Sequence, residues 1–244
     1  MTNVRIHLAE TLTAGSIEGF LTPAETTKLD KIMSDFLAEE DRSSFVEQRT
    51  ISIHEIPGHS TAQAMDVYEP AGRLEVPEIP AAAEHLLQSA FDRARPALAR
   101  LVPSVTTCRP WTYVEYMPGQ HITAHLDGIA PDPITWPRQI AGISIMIGEP
   151  AQGGEFYIET TSGERLWNKE CSDPASCYSD GMWFAHDGAD QSADWFRDMP
   201  RTRWNVNPTP GTALLYGSQL THGTHPVIAG TARKFISWLI AENS

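Results

Sequence analysis

No stretch of the chain stays apolar for the twenty or so residues needed to cross a bilayer, and cationic residues are scarce. Eighteen Lys and Arg stand against 31 Asp and Glu, a net charge of −13 that repels phosphate backbones. Neither a membrane nor a nucleic acid is expected as a partner. Cysteine is down to three, Cys108, Cys171 and Cys177; an odd count this low excludes a disulfide framework. Cys171 and Cys177 lie close in sequence but lack a second pair of soft ligands, so they read as free thiols in a loop. The opening Met1–Glu10 has no apolar core of the kind a secretion signal carries, and cytoplasmic residence is the expectation. Internal repeats, low-complexity tracts and linkers are missing too, so nothing splits off a second domain.

What is present is a chain of 244 residues, 41% hydrophobic, enough to bury a core in one domain. Thr22-Pro23-Ala-Glu25 forms a capping box with proline at the first helical position, which predicts a helix to about Ala38. Its Leu29, Ile32, Met33, Phe36 and Leu37 share one face. Residues 44 to 58 alternate as a strand would, and His54 and His59 there have no carboxylate at ligand spacing. Ile79-Pro80 opens a second helix through about Leu101, striped by Ala83, Leu86, Leu87, Ala90, Phe91, Ala94 and Leu98. Residues 1–110 thus form a helical support region.

From Trp111 the pattern turns to short strands set apart by Gly and Pro: 111–117, 140–148, 154–159, 212–217 and 234–240. The fold class expected is mainly β with N-terminal helices, the strands of 111–244 forming a sandwich or jelly roll. Two connections exceed a turn. One, Gly128 to Arg138, carries Trp136; the other, about 160–207, holds Trp167, Trp183, Phe184, Trp195, Phe196 and Trp204, too aromatic for a disordered tract. It reads as a lid closing over a site, with Arg201 and Arg203 beside Trp204 either meeting an anionic substrate or neutralising the acids around them.

The chemistry centres on Tyr116-Met-Pro-Gly-Gln-His-Ile-Thr-Ala-His125-Leu-Asp127. Side chains two apart on a strand share a face, so His125 and Asp127 converge. They are either a hydrogen-bonded structural pair or two thirds of a 2-His-1-carboxylate triad, which holds Fe(II) and leaves coordination positions open. The second histidine that the triad needs is offered by His222, which ends an apolar run.

Four blocks in this order, Tyr116-x-Pro-Gly-x5-His125-x-Asp127, Gly153-Gly-Glu-Phe156, Pro210-Gly-x-Ala-Leu-x-Tyr216 and His222-x3-Pro-Val-x2-Gly-x2-Arg233, resemble the iron(II)- and 2-oxoglutarate-dependent dioxygenases of the prolyl-hydroxylase-like and small-molecule-hydroxylating kind. The resemblance covers Trp111 to Ile240. It implies a double-stranded β-helix (cupin-like jelly roll) and an Fe(II) held by His125, Asp127 and His222. It also implies O2 as co-reactant and 2-oxoglutarate split to succinate and CO2 while substrate is oxidised. Arg233 stands at the family's place for the cation that grips the far carboxylate of 2-oxoglutarate, and Tyr116 matches a tyrosine that donates to it. Where some relatives add a serine two residues after that arginine, this chain has Phe235; Ser237, Ser144 or Thr221 could compensate.

The carboxylate at Asp127 favours hydroxylation, or the desaturation and ring closure that share its first step, over halogenation, whose enzymes carry a small residue there. The acidic balance argues against the nucleic-acid-demethylating branch. The expected substrate is a small molecule, an amino acid or natural-product intermediate that carries a carboxylate, with Trp136, Arg201, Arg203, Trp204 and His225 as residues to meet it. A peptidyl hydroxylase and a cupin-type metal module without turnover are the alternatives. His121, His186 and His225 have no ligand position in the family pattern.

Overall fold

The computed structural model describes residues 6–47, 56–127, 137–170, 178, 183–185 and 189–242. Helices and strands run in the order α1 (Leu8–Thr11), β1 (Ala14–Ile17), α2 (Pro23–Glu39), α3 (Arg42–Glu47), α4 (Thr61–Tyr68), β2 (Leu74–Val76), α5 (Ala81–Leu101), β3 (Thr107–Cys108), β4 (Thr112–Tyr116), β5 (Ile122–His125) and β6 (Arg138–Gly148). There follow β7 (Gln152–Gly153), β8 (Phe156–Thr160), β9 (Trp167–Glu170), β10 (Trp183–Ala185), α6 (Asp194–Arg197), β11 (Thr202–Val206), β12 (Ala213–Gly217), β13 (His222–Thr224), β14 (Val227–Ala229) and β15 (Ala232–Ala241).

Two antiparallel sheets face each other as a jelly roll. The larger has the order β1-β12-β6-β15-β4-β2, with β3 also on β15; the smaller has the order β11-β8-β13-β5. Residues before 111 thus do more than support the barrel, because β1 and β2 extend the larger sheet at both edges.

The expected capping box is present at α2, where the Glu25 carboxylate accepts from Thr22 N at 2.8 Å and Glu25 N donates back to Thr22 Oγ1. Leu29, Met33 and Leu37 of α2 and Leu87, Ala90, Phe91 and Leu98 of α5 bury against Ile143, Ile145, Tyr113 and Phe235 of the larger sheet. That apolar layer covers the sheet's outer face, so the inner face is the one left for a pocket.

Two sequence expectations change. The strand expected over 44–58 is helix at 44–47, where the Asp41 carboxylate caps α3 by accepting from Ser43 N at 3.0 Å, and a turn at 57–58; His54 lies outside the described residues. The 160–207 excursion ends in β11, a strand of the smaller sheet paired with β8 from Thr202↔Thr160 to Val206↔Phe156. Among its described residues, Leu166, Ala185, Ala189, Phe196 and Met199 pack with Ala124, Leu126 and Tyr157. Ala124 and Leu126 alternate with His125 and Asp127, so these described residues brace the smaller sheet from behind.

Candidate metal centre

β5 and β13 are antiparallel neighbours, and His125 and His222 are direct partners in that ladder. Directly opposed side chains on one face sit a few ångströms apart; here the two imidazole centroids are 4.4 Å apart. The turn after β5 adds Asp127, whose Oδ1 lies 3.7 Å from His125 Nε2 and 3.8 Å from His222 Nε2. One ligand atom from each residue falls within 4.8 Å of the others, and all three residues are buried.

His125 Nδ1 is 2.7 Å from the Thr123 carbonyl and His222 Nδ1 is 2.9 Å from the Leu220 carbonyl. A carbonyl only accepts, so each ring donates from Nδ1 and turns the Nε2 lone pair to the point that the Asp127 carboxylate also faces. Asp127 Oδ2 is buried with no hydrogen-bond partner among the described residues. An uncompensated buried carboxylate oxygen is costly. Two Nε2 lone pairs and a carboxylate converging on one point are the donor set of a divalent transition-metal site.

The pocket beside the trio is lined by Tyr116, Ile122, Ser144, Phe156, Thr224, Lys234, Ile236 and Trp238, with Arg73 entering from the loop between α4 and β2. Lys234 is buried and donates to Thr224 Oγ1 at 3.0 Å, its ammonium 4.7 Å from the centre of the Tyr116 ring. Burial and the nearby Arg73 charge push its pKa down to about 7. Tyr116 is pushed the other way by burial, against the pull of Arg73, and stays a neutral phenol. Tyr68 of α4 stands edge-on to His125 at 5.7 Å, and Tyr216 lies 4.3 Å from the His222 ring.

Arg233 is corrected. Its guanidinium leaves the pocket for the outer face, where it pairs with Asp30 of α2 and lies against Gly148. On a pleated strand Lys234, Ile236 and Trp238 take the inner face and Arg233 and Phe235 the outer one. Ser144 does reach the pocket, whereas Ser237 is turned away and donates to the Arg109 carbonyl at 2.7 Å.

Arg201 and Arg203 are also turned outward: both grip the buried Glu159, at 2.8 and 2.7 Å, and stack over the rings of Phe196 and Tyr157. His225 packs at a tilt against the outward Tyr157 and reaches Asn205 Oδ1 at 2.9 Å. Trp204 shares the inward face with Ile158, its register partner, and is 55% exposed. Trp136 and His186 lie outside the described residues.

Lys234, Arg73, Tyr68 and Trp238 were not singled out by sequence, and Tyr216 was read only as part of a motif. Only Lys234 had a usable signal, its place one residue along from an expected cation.

Among solved structures, a Pseudomonas putida prolyl-4-hydroxylase matches with a TM-score of 0.56 at 14% identity, over 96% of this chain and 95% of that one. A Trichoplax adhaerens prolyl hydroxylase, solved with a hypoxia inducible factor peptide fragment, gives 0.55 at 12% identity over 93% and 83%. An oxidoreductase of the 2OG-Fe(II) oxygenase family from Burkholderia pseudomallei gives 0.50 at 14% over 95% and 85%. No family model and no curated protein matches the chain. At such identities the likeness is one of architecture, and the chain has the jelly-roll fold of the iron(II)- and 2-oxoglutarate-dependent oxygenases.

Proposed function

We propose that the protein is an iron(II)- and 2-oxoglutarate-dependent oxygenase that hydroxylates a small molecule. The observation that carries this reading is the buried trio His125, Asp127 and His222 opening onto a pocket that holds a buried ammonium, Lys234, and a neutral phenol, Tyr116. A metal module without turnover has no use for that second set.

The trio fits the metal, since it combines two imidazoles fixed as Nε2 acceptors with a carboxylate whose Oδ2 lacks a partner. Iron(II) held there would supply the activation of dioxygen, with 2-oxoglutarate giving two electrons as it loses CO2 and becomes succinate. Lys234 takes the role first expected of Arg233. Its ammonium spends one N–H on Thr224 and has two others with which to hold the far carboxylate. Tyr116 donates its hydroxyl proton to the same group. Ile122, Phe156, Ile236 and Trp238 form the apolar wall that keeps water away from the reacting atoms.

Deep burial of the trio, with α4 laid over β5 and Tyr68 against His125, supports a small substrate. A peptidyl substrate is the second reading, favoured by the prolyl hydroxylases among the structural neighbours and by the exposed Trp204 on the inward face of an edge strand.

The test is succinate release from 2-oxoglutarate with Fe(II) and O2, first without substrate, then with amino acids and with proline-containing peptides. Turnover that is absent in His222→Ala and stimulated by a small molecule supports the proposal. Stimulation by peptides alone would move it to the second reading, and metal binding with no 2-oxoglutarate turnover would leave a metal module.

A further inference from the structure

Arg73 has no counterpart in the motifs of the chain's second half, yet its side chain is only 4% exposed and lines the same pocket as the trio. Its place follows from pairing. β2 runs antiparallel to β4 with Leu74 opposite Glu115, so continuing the register by one residue sets Arg73 beside Tyr116. Arg73 Nη1 donates to the Tyr116 hydroxyl oxygen at 2.7 Å. Nε meets Glu69 at 3.0 Å and Nη2 meets Glu75 at 2.6 Å; both carboxylates are buried, 3% and 2% exposed. Each nitrogen of the guanidinium therefore lies against a protein oxygen, which fixes its plane beside Tyr116.

Its effect on Tyr116 is directional. A guanidinium only donates, so the phenol oxygen is the acceptor in this contact, and the single phenol proton must go elsewhere. Burial keeps Tyr116 protonated, so that proton is present across the working pH range. The planar fork held by two carboxylates fixes the direction in a way that a lysine cannot.

We infer that Arg73 is a positioning residue for the 2-oxoglutarate site: by donating to the Tyr116 oxygen it turns the Tyr116 proton into the pocket, toward the carboxylate held by Lys234. The inference rests on the reading of the pocket given above. The end of α4 touches the strand that carries His125, because Glu69, which holds Arg73, directly follows Tyr68, which packs on His125. Thr123 of β5 holds the same helix end by donating to the Val67 carbonyl at 2.9 Å. The groups that face Lys234 are Arg73 from the loop before β2, Tyr116 from β4 and Thr224 from β13, with Asp127 and the two histidines in the same pocket. After burial, Arg73 is also the cation that lowers the Lys234 pKa.

The experiment is calorimetric titration of 2-oxoglutarate into the full chain without oxygen, with Mn(II) in the metal site. It compares wild type, Arg73→Lys, Arg73→Gln, Tyr116→Phe and the Arg73→Gln/Tyr116→Phe double variant. Loss of one charge-assisted contact corresponds to about tenfold in affinity. Arg73→Gln and Arg73→Lys should each weaken 2-oxoglutarate about tenfold while Mn(II) affinity stays the same. Arg73→Gln should add nothing once Tyr116 is Phe. In Arg73→Gln the pH at which 2-oxoglutarate affinity falls should also move upward, which a merely structural role would not produce. Should Arg73→Gln fail to fold around the two bare carboxylates, the triple variant Arg73→Gln/Glu69→Gln/Glu75→Gln removes the buried charges together and should show the same loss. Wild-type affinity in these variants, or additive losses in the double variant, overturns the inference alone. A wild type that binds no 2-oxoglutarate overturns the proposed function with it.

Discussion

Arg233 and Lys234 are neighbours in sequence and opposites in space: one pairs with Asp30 on the helix-covered face of β15, the other donates to Thr224 inside the barrel. The difference is testable. Lys234→Met should raise the Michaelis constant for 2-oxoglutarate by at least about tenfold, the worth of one charge-assisted hydrogen bond. Arg233→Gln should leave it within about twofold, because its partner is Asp30 on the helix-covered face and not a group in the pocket. Steady-state succinate assays on the two variants decide the matter, and the reverse ranking would restore Arg233 as the anchor.

Lys234 also sets a pH dependence. Its pKa is lowered to about 7 by burial and by Arg73, far below the ~10.4 of a lysine in an unfolded chain. Only the protonated amine holds a carboxylate, so 2-oxoglutarate affinity should be full below about pH 7 and fall as pH rises through it, with proton uptake on binding. The stability of the ligand-free protein should run the other way. Between about pH 7 and ~10 the unfolded chain binds the extra proton, so unfolding free energy rises with pH across that window. Titrations in buffers of different ionisation heat, together with melting curves from pH 6 to 9, would show both signs. A pH-independent affinity would rule out Lys234 as the carboxylate anchor.

The metal trio is expected to be a stability liability until it is filled. Asp127 Oδ2 is buried without a partner among the described residues, and such a group costs on the order of 1–3 kcal/mol. Asp127→Ala should therefore melt no lower than wild type in the presence of a chelator, and it should lose the rise in Tm that Fe(II) or Mn(II) gives the wild type. A large metal-induced shift in Asp127→Ala would remove this residue from the ligand set.

How much of this was legible in sequence depended on how local each cause was. The α2 cap is settled within four residues, Thr22 to Glu25, and the pairing of His125 with Asp127 within three, so both could be read directly. The face of β15 could not, because both of its faces are buried, one under α2 and α5 and one in the barrel, and alternation in an apolar strand does not say which is which. Arg73 was hidden for a different reason. Its meaning comes from β2 pairing with β4 some forty residues away. β11 was passed over because Thr202–Asn205 are exposed and show no apolar alternation, so what makes them a strand is the backbone ladder to β8.

The arginines of the excursion predict a fold defect, because the acid they meet is the buried Glu159 and not a substrate. Arg201 and Arg203 share the buried Glu159, and reversing Arg201 to glutamate would set two acids together behind β8. Breaking a largely buried pair costs about 3–5 kcal/mol, so Arg201→Glu should lower Tm before it alters coupling. Phe196→Ala should act alike, because Phe196 is fully buried in the layer with Ala124 and Leu126, directly behind the metal-bearing strand; removing such a ring costs about 3–5 kcal/mol.

Trp204 should behave differently from its neighbours on the excursion. It is exposed, it shares the inward face of the smaller sheet with Ile158 and Phe156, and its indole N–H is held by Thr160 Oγ1 at 3.0 Å. Two strand positions separate its partner Ile158 from Phe156, which lines the pocket, so the indole lies about 7 Å along the strand from the pocket wall. An exposed aromatic in that place costs little to remove from the fold, within about 0.5 kcal/mol, but offers a broad apolar surface to whatever enters beside the metal. Trp204→Ala should leave Tm and the 2-oxoglutarate Michaelis constant unchanged and raise the Michaelis constant of the oxidised substrate about tenfold, with more 2-oxoglutarate consumed per product formed. An unchanged substrate constant and unchanged coupling would show that substrate approaches from another side of the barrel.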